Sequence, residues 1–240
     1  MNSTHRRSTA LSDKSLSIVA RMRKRTHALH AHAEQSGYIS EIFHGRGSAS
    51  GYTLFLRNLL QAYQELERGL ERHRDSPIFA AVPWRDLYRV PAMERDLLAL
   101  AGPDWERSVV LLPSAMNYSK CVASAASDDG ERLIAHAYVR YMGDLSGGQV
   151  LKRLLNSSLG LGPAALSFYE FPRIADAASF KADLRAAIDA AAHTIVDAQA
   201  VVDEAAMAFQ LNIALSEEIH SAVQATACNI ALAGGAEKAP

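Results

Sequence analysis

The sequence predicts an all-α protein, a single compact domain of several helices packed as a bundle over residues 15–224. Apolar residues recur at three- and four-residue spacing along most of the chain, which is the period of an amphipathic helix. The chain shows no convincing β-type alternation and no internal repeat. Its 240 residues are 49% hydrophobic, so one substantial core can form.

The first two predicted helices have clear apolar faces. The first covers about residues 16–37, and one side of it carries Val19, Met22, Thr26, His30 and Ala33. A glycine-containing loop follows, and Ser50 is the predicted cap of the second helix, which continues to about residue 74. The stripe of this second helix consists of Tyr52, Phe55, Leu56, Leu59, Tyr63, Leu66 and Leu70.

The rest of the chain predicts shorter helices and then longer ones. Prolines punctuate an irregular connection, after which helices are expected near residues 92–101 and 114–126. An aromatic loop over residues 168–172 is expected to fill a pocket or part of the core. The two last helices are marked by Phe180, Leu184, Ile188, Ala191 and Ile195, and by Val202, Ala205, Phe209, Ile213, Ile219 and Val223.

Composition excludes several classes of protein. The net charge of -1 predicts no general attraction to nucleic acid or to an anionic membrane. No segment approaches the ~20 apolar residues of a membrane span, and residues 1–14 lack the apolar core of a signal peptide. Cys121 and Cys228 are too far apart in sequence to suggest a metal motif. We therefore predict a cytoplasmic protein without a membrane anchor, with a disordered arm over 1–14 and a flexible tail over 225–240. The sequence leaves the oligomeric state open, and a monomer is our expectation.

A further helix is predicted from about residue 130 to 159, with Asp128 and Glu131 as a capping pair. It contains three glycines within six residues: Gly143, Gly147 and Gly148. Each glycine costs roughly 0.8–1 kcal/mol relative to alanine inside a helix. The three together cost about 3 kcal/mol, a large part of a net stability of roughly 5–15 kcal/mol. Some function or packing contact should offset this loss.

Two interpretations of these glycines are open. Gly143 and Gly147 lie four residues apart on one helix face, beside the polar residues Asp144 and Ser146. Bare backbone at that face could receive a flat, bulky ligand, and the glycines would also permit a bend. Alternatively, the small residues allow close packing against another helix. The pattern alone does not separate the two.

His30 is the histidine that the helical pattern selects. It lies near the centre of the apolar face of the first helix, whereas His27 lies at the edge and His32 points away. An imidazole in an apolar setting needs a partner. A heme iron is one such partner, since histidine is a common axial ligand of heme in proteins that handle dioxygen.

Two segments resemble those of a known enzyme family. The sequence YVRYMGDLSGGQVLKR, at residues 138–153, resembles the distal-helix signature of heme oxygenases, which open heme to biliverdin. The sequence HALHAHAE, at residues 27–34, is similar to the family's proximal segment, in which the ligating histidine stands four residues before a glutamate. The resemblance extends over about residues 16–223. It implies a heme oxygenase-like bundle, with heme between a proximal and a kinked distal helix.

The resemblance also implies roles for individual residues. His30 would bind the iron. Asp144, together with Arg140 and Tyr118, would organise water that delivers protons, while Gly143 and Gly147 would leave room for dioxygen. The implied heme-binding residues are Arg23, His27, Glu34, Tyr138, Gly148, Lys181, Arg185, Phe209 and Asn212. Many relatives have lysine in place of His27, so one contact with a heme propionate is expected to be lost or to depend on pH.

The resemblance implies that heme b is both cofactor and substrate, and that the products are biliverdin, carbon monoxide and ferrous iron. The chain contains no flavin, nicotinamide or iron–sulfur motif. Electrons should therefore come from an external ferredoxin or flavoprotein reductase. Attack at the α-meso carbon is the default expectation. A biliverdin acceptor, such as a photoreceptor, is a further expected partner.

Two other functions are compatible with an all-α chain. A heme carrier or sensor would keep His30 but would lack a productive distal network, and the presence of Asp144 argues against it. A di-iron carboxylate bundle requires two Glu-x-x-His motifs. Here Glu217 and His220 form one such motif without a second copy.

Overall fold

The structure is a computed structural model that describes residues 16–236, with side chains described for residues 16–229. Regular structure in residues 16–236 is entirely helical, so the all-α prediction is confirmed. The α-helices are α1 (Ile18–Gln35), α2 (Gly37–Phe43), α3 (Ala49–Arg72), α4 (Pro77–Ala80), α5 (Val90–Ala101), α6 (Trp105–Ser108), α7 (Pro113–Ala125), α8 (Leu133–Asp144), α9 (Gly147–Leu159), α10 (Ala177–Ala191) and α11 (Ala198–Ala236). Short 3-10 turns cover Trp84–Asp86, Pro163–Ala165, Ser167–Tyr169 and Ala192–Thr194.

Helices α3 and α11 form the centre of the bundle. Helix α11 packs against α1, α2, α7 and α8, while α3 packs against α5 and α7. All seven residues of the predicted α3 stripe, from Tyr52 to Leu70, are buried. Such a face stabilises the fold by removing apolar surface from water. This packing fixes the positions of α1 and α8, which carry most of the predicted site residues.

Local hydrogen bonding differs from the sequence expectations at two helix starts. Ser48, rather than Ser50, caps α3, and its hydroxyl accepts a hydrogen bond from the Gly51 amide at 3.1 Å. Helix α8 begins at Leu133 without a side-chain cap, so the predicted capping pair is wrong. The Glu131 carboxylate instead accepts hydrogen bonds from the amides of Val196 and Asp197, at 2.8 and 3.3 Å, just before α11.

The long helix predicted over residues 130–159 is divided into α8 and α9. The break lies at Leu145 and Ser146, where Ser146 has φ -120° and ψ -86°, outside the helical region. Gly143 precedes this break and Gly147 follows it directly. The structure therefore has the bend that the glycine cluster permits.

The last helix extends beyond the predicted end of the helical domain at residue 224. Helix α11 continues past residue 225 to Ala236, so the start of the predicted tail does not coincide with a helix end. The predicted arm over residues 1–14 lies outside the described residues. Among residues 16–236, none of the helices combines the length and apolar character needed to cross a membrane.

Candidate functional site

A cavity of about 440 Å³ lies between α1 and the break that separates α8 from α9. This volume is within the roughly 300–1,000 Å³ of ligand pockets. The predicted site residues that line the cavity are Arg23, His30, Glu34, Tyr138, Arg140, Gly143, Asp144, Gly147, Gly148, Arg185, Phe209 and Asn212. Helices that are distant in sequence thus bring these residues to one place.

The glycines at the break have different surroundings. A Cβ atom added to Gly143 or Gly147 would meet no heavy atom of the described structure within 4 Å. Close helix packing therefore does not account for these two positions, and their backbone is open to the cavity. At Gly148, in contrast, an added Cβ would lie 3.2 Å from Cδ1 of Tyr169. Gly148 is thus a packing glycine that also lines the cavity.

Asp144 is a buried carboxylate at the cavity wall. The Tyr63 hydroxyl donates a hydrogen bond to its Oδ2, and Nη2 of Arg140 donates to its Oδ1 at 3.4 Å. Burial raises the pKa of Asp144, while the Arg140 charge and the Tyr63 hydrogen bond act in the opposite direction. The carboxylate is therefore held in place by two donors beside an open cavity.

Arg140 connects this carboxylate to α3 and α11. Its Nε donates to the Tyr63 hydroxyl at 3.1 Å, and its Nη1 donates to Oδ1 of Asn212 at 2.6 Å. Tyr63 belongs to the predicted apolar stripe of α3, and no motif marked it as a site residue. Its role could have been predicted from chemistry, because the hydroxyl of a buried tyrosine needs a hydrogen-bond partner.

Tyr118 lies behind this cluster and does not line the cavity. Its side chain is fully buried, and its hydroxyl has no hydrogen-bond partner among the described residues. Burial raises the pKa of Tyr118, and the nearby Arg140 charge opposes that rise. An unpartnered buried hydroxyl next to a guanidinium is a place where an ordered water is expected.

His30 presents an accessible imidazole to the cavity from α1. Its side chain is 62% exposed, and Nδ1 lies 3.6 Å from Oε1 of Glu34 one turn later. The ring centroid is 5.8 Å from that of Phe209 on α11. A ring with an accessible edge and a neighbouring carboxylate can serve as a metal ligand.

Cations lie along another part of the cavity. Burial raises the pKa of Tyr138, and the nearby charges of Arg185 and Arg23 lower it. The two guanidinium groups therefore lie near the Tyr138 hydroxyl, at a position suited to carboxylate groups of a ligand. Lys181 is not a lining residue. Its Nζ donates to Oγ of Ser146 at 3.0 Å. His27 is exposed and also lies outside the cavity lining.

Comparison with known proteins decides the family. The family model described as heme oxygenase matches residues 16–218. The chain belongs to the heme oxygenase family. Human heme oxygenase 1 is 36% identical over 201 residues, which cover 82% of this chain and 70% of the human protein. Heme oxygenase 1 of Nostoc is 32% identical over 206 residues, covering 85% of this chain and 87% of that protein.

Solved structures of heme oxygenases have the same fold. Heme oxygenase-1 of Synechocystis, crystallised in complex with heme, superposes with a TM-score of 0.81 at 28% identity, covering 91% of this chain and 99% of that chain. The heme oxygenase of Leptospira interrogans has a TM-score of 0.77 at 30% identity, covering 85% of this chain and 100% of that one. The chain is an oxidoreductase of this family, whose members open heme to biliverdin, carbon monoxide and iron.

Proposed function

We propose that heme binds in the cavity between α1 and the α8–α9 break, with His30 as the iron ligand. The residues present fit such a group. The cavity offers an accessible imidazole on one helix and bare backbone at Gly143 and Gly147 on others. The openness of these two glycines is the observation that carries the proposal, because a Cβ atom added at either would meet no heavy atom of the described residues within 4 Å, so packing does not account for them. Bound heme would supply both the iron that activates dioxygen and the ring that is opened.

The heme propionates would be held by Arg23 and Arg185. Both line the cavity, and their charges act on the same tyrosine hydroxyl, that of Tyr138. Guanidinium–carboxylate contacts combine charge with directional hydrogen bonds. Lys181 would join them by exchanging its contact with Ser146 for a propionate oxygen. A contact from the exposed His27 would need its imidazole to turn toward the cavity.

Asp144 would act by organising water rather than by donating a proton directly. Its Oδ2 accepts from Tyr63 and its Oδ1 from Arg140, so both oxygens are already oriented. Remaining lone pairs of the carboxylate can accept from water in the cavity. Such water would carry protons to the reacting oxygen, and the Tyr118 hydroxyl would extend the same network. Arg140, held by Asn212, keeps the carboxylate in this orientation.

The glycines would direct where oxygen chemistry occurs. Because Gly143 and Gly147 carry no side chain, the part of the cavity beside them can hold a small molecule and water. Elsewhere the lining includes the larger side chains of Phe55, Leu151, Phe168 and Tyr169. We propose that this asymmetry favours one meso carbon, with the α position as the default.

The reaction needs partners that the chain does not contain. We propose a ferredoxin or a flavoprotein reductase as electron donor, docking near the arginines of α1, where Arg23 and Arg25 are exposed. We also propose that the protein acts as a cytoplasmic monomer, with heme b as cofactor and substrate, and that it delivers biliverdin to an acceptor such as a photoreceptor.

A non-catalytic heme carrier is the alternative function for the same cavity. It would need His30 and the cations but would have no use for a buried, doubly hydrogen-bonded Asp144. The di-iron alternative has no support in the described residues, since none of their histidine, cysteine and carboxylate side chains form a group of three suited to a metal.

The test is anaerobic addition of hemin, followed by air, a reductant and ferredoxin, with the visible spectrum recorded throughout. We expect a Soret band, then its loss and the growth of red biliverdin absorption. His30→Ala should alter the initial heme spectrum, while His32→Ala is the matched control, because His32 is exposed on the same helix outside the cavity. Asp144→Ala should bind heme but not open it. A stable Soret band in the wild-type protein with several electron donors would contradict the enzyme and support the carrier.

A further inference from the structure

A second buried carboxylate, Asp96, lies on α5 behind the cavity lining, next to the turn that contains the lining residue Phe168. It is fully buried. Its Oδ1 accepts hydrogen bonds from the amide and hydroxyl of Ser167 at 2.9 and 2.5 Å, and its Oδ2 accepts from the Phe168 amide at 2.7 Å. A buried carboxylate with three donors fixes the segment that supplies them. Asp96 therefore anchors the Ser167–Tyr169 turn.

This turn contacts the Asp144 cluster through its aromatic side chains. The ring of Phe168 meets the ring of Tyr63 edge-on, with centroids 5.6 Å apart and an interplanar angle of 88°. Tyr63 in turn donates a hydrogen bond to Asp144. A displacement of Phe168 would free the Tyr63 ring to tilt, and the hydroxyl at its far end would move away from the carboxylate.

The same turn also contacts the segment after the break. Nε2 of Gln149 donates to the backbone oxygen of Tyr169 at 2.8 Å and to that of Asp144 at 3.4 Å. The Tyr169 ring packs against Gly148. The turn is thus linked to Asp144 twice, once through the side chain of Tyr63 and once through its own backbone.

We propose that Asp96 is a positioning residue for Asp144 and acts through the Ser167–Tyr169 turn. The effect on catalysis rests on the role of Asp144 proposed above, whereas the effect on geometry does not. Catalytic groups must be held within a few tenths of an ångström by their supporting contacts. A misplacement of about 1 Å can cost about 100-fold in rate.

The test compares Asp96→Asn with Glu131→Gln. An asparagine at position 96 keeps one acceptor oxygen but turns an amide NH₂ toward one set of the turn's donors. Glu131 is the matched control, because it is also a buried carboxylate that accepts from two backbone amides. Those amides belong to Val196 and Asp197, which do not line the cavity, whereas Phe168 and Tyr169 of the turn anchored by Asp96 do. Ser167→Ala provides a milder change that removes one of the three donors and keeps both backbone contacts.

The first measurement is the downfield proton NMR spectrum of the ligand-free protein at low temperature. The Tyr63 hydroxyl signal is assigned by its loss in Tyr63→Phe. We expect Asp96→Asn to shift or broaden this signal, Ser167→Ala to shift it less, and Glu131→Gln to leave it unchanged. The second measurement is the rate of biliverdin formation across pH, at one temperature below the unfolding of every variant. We expect the rate to fall about 10- to 100-fold in Asp96→Asn and to be unchanged in Glu131→Gln.

The proposal is overturned if Asp96→Asn matches Glu131→Gln in both the proton signal and the rate. Should Asp96→Asn fail to fold, Ser167→Ala decides, and wild-type signal and rate in that variant also overturn the proposal. Ring opening that persists in Asp144→Ala would instead refute the proposed role of Asp144, and the NMR comparison would still test the link from Asp96. If Asp144→Ala loses ring opening while Asp96→Asn keeps the wild-type proton signal and rate, only the proposed link from Asp96 to Asp144 is refuted.

Discussion

Gly143→Ala should make the ligand-free protein more stable and the enzyme less active. Gly143 lies inside α8, and a Cβ atom added there would meet no described heavy atom within 4 Å. Its φ is not positive, so alanine fits the backbone. Replacing glycine by alanine within a helix stabilises by roughly 0.5–1 kcal/mol, and the position near the helix end favours the lower half of that range. For a chain of this size the expected rise in Tm is about 1–3 °C.

The same methyl group would occupy the part of the cavity proposed for dioxygen and water. We therefore expect hemin to bind still, while biliverdin formation falls at least about tenfold, since small displacements of reacting groups are costly. Thermal unfolding of the ligand-free protein followed by circular dichroism measures the first effect, and the hemin turnover assay measures the second. Stability and activity should move in opposite directions.

Gly148→Ala is the control, because its Cβ would press on the Tyr169 ring at 3.2 Å. It should gain no stability, since the ring must move to admit the methyl group. The reasoning is refuted if Gly143→Ala lowers the Tm of the ligand-free protein, or if Gly148→Ala raises it equally. Full biliverdin formation by Gly143→Ala would refute the assignment of this space to the reaction.

Three further predictions concern charge. Burial raises the pKa of Glu67 from 4.5 to about 7, so between these pH values the folded state holds more protons than the unfolded state. The free energy of unfolding should therefore fall by up to about 3 kcal/mol as pH rises through this range. Glu67→Gln should flatten this pH dependence in urea titrations, and an unchanged pH dependence would contradict the assignment. Tyr63→Phe removes a hydrogen bond that lowers the pKa of Asp144. The acid limb of the pH profile of biliverdin formation should therefore move to higher pH. If it does not move, the reaction does not require ionised Asp144. Arg185→Ala should weaken hemin binding, measured by Soret titration, about 5- to 10-fold at low salt and less at high salt. Arg173 lies outside the cavity lining, so Arg173→Ala should have no effect. Equal losses of affinity in the two variants would contradict a specific propionate contact.

The helical pattern predicted most of the fold because amphipathic periodicity reflects burial directly. The α3 stripe illustrates this, since each of its seven residues is buried. Details that depend on partners distant in sequence were missed. Glu131 was expected to cap its own helix, but its carboxylate binds amides near Val196, a contact that local spacing cannot show. The cap of α3 is Ser48 and not the predicted Ser50. The sequence could not separate the two, because serine is a good cap at either position.

Candidate site residues were predictable where a motif or a helix face isolated them. His30 followed from its central position on the α1 face, and twelve of the fifteen predicted site residues are among those that line the cavity. Tyr63 and Asp96 were not, because a tyrosine in an apolar stripe and an aspartate in a short helix have no distinguishing local pattern. Their importance depends on which groups they meet across the bundle.

By itself the sequence predicted the all-α class, the family and a set of candidate site residues, because these depend on periodicity and on residue type at fixed spacing. The tertiary structure decided between the two interpretations of the glycines. It shows Gly143 and Gly147 open to a cavity and Gly148 packed against Tyr169. It also decided that Asp144 is held by Tyr63 from α3, and that Lys181 contacts Ser146. Contacts between segments far apart in the chain follow from packing, which no local sequence pattern specifies.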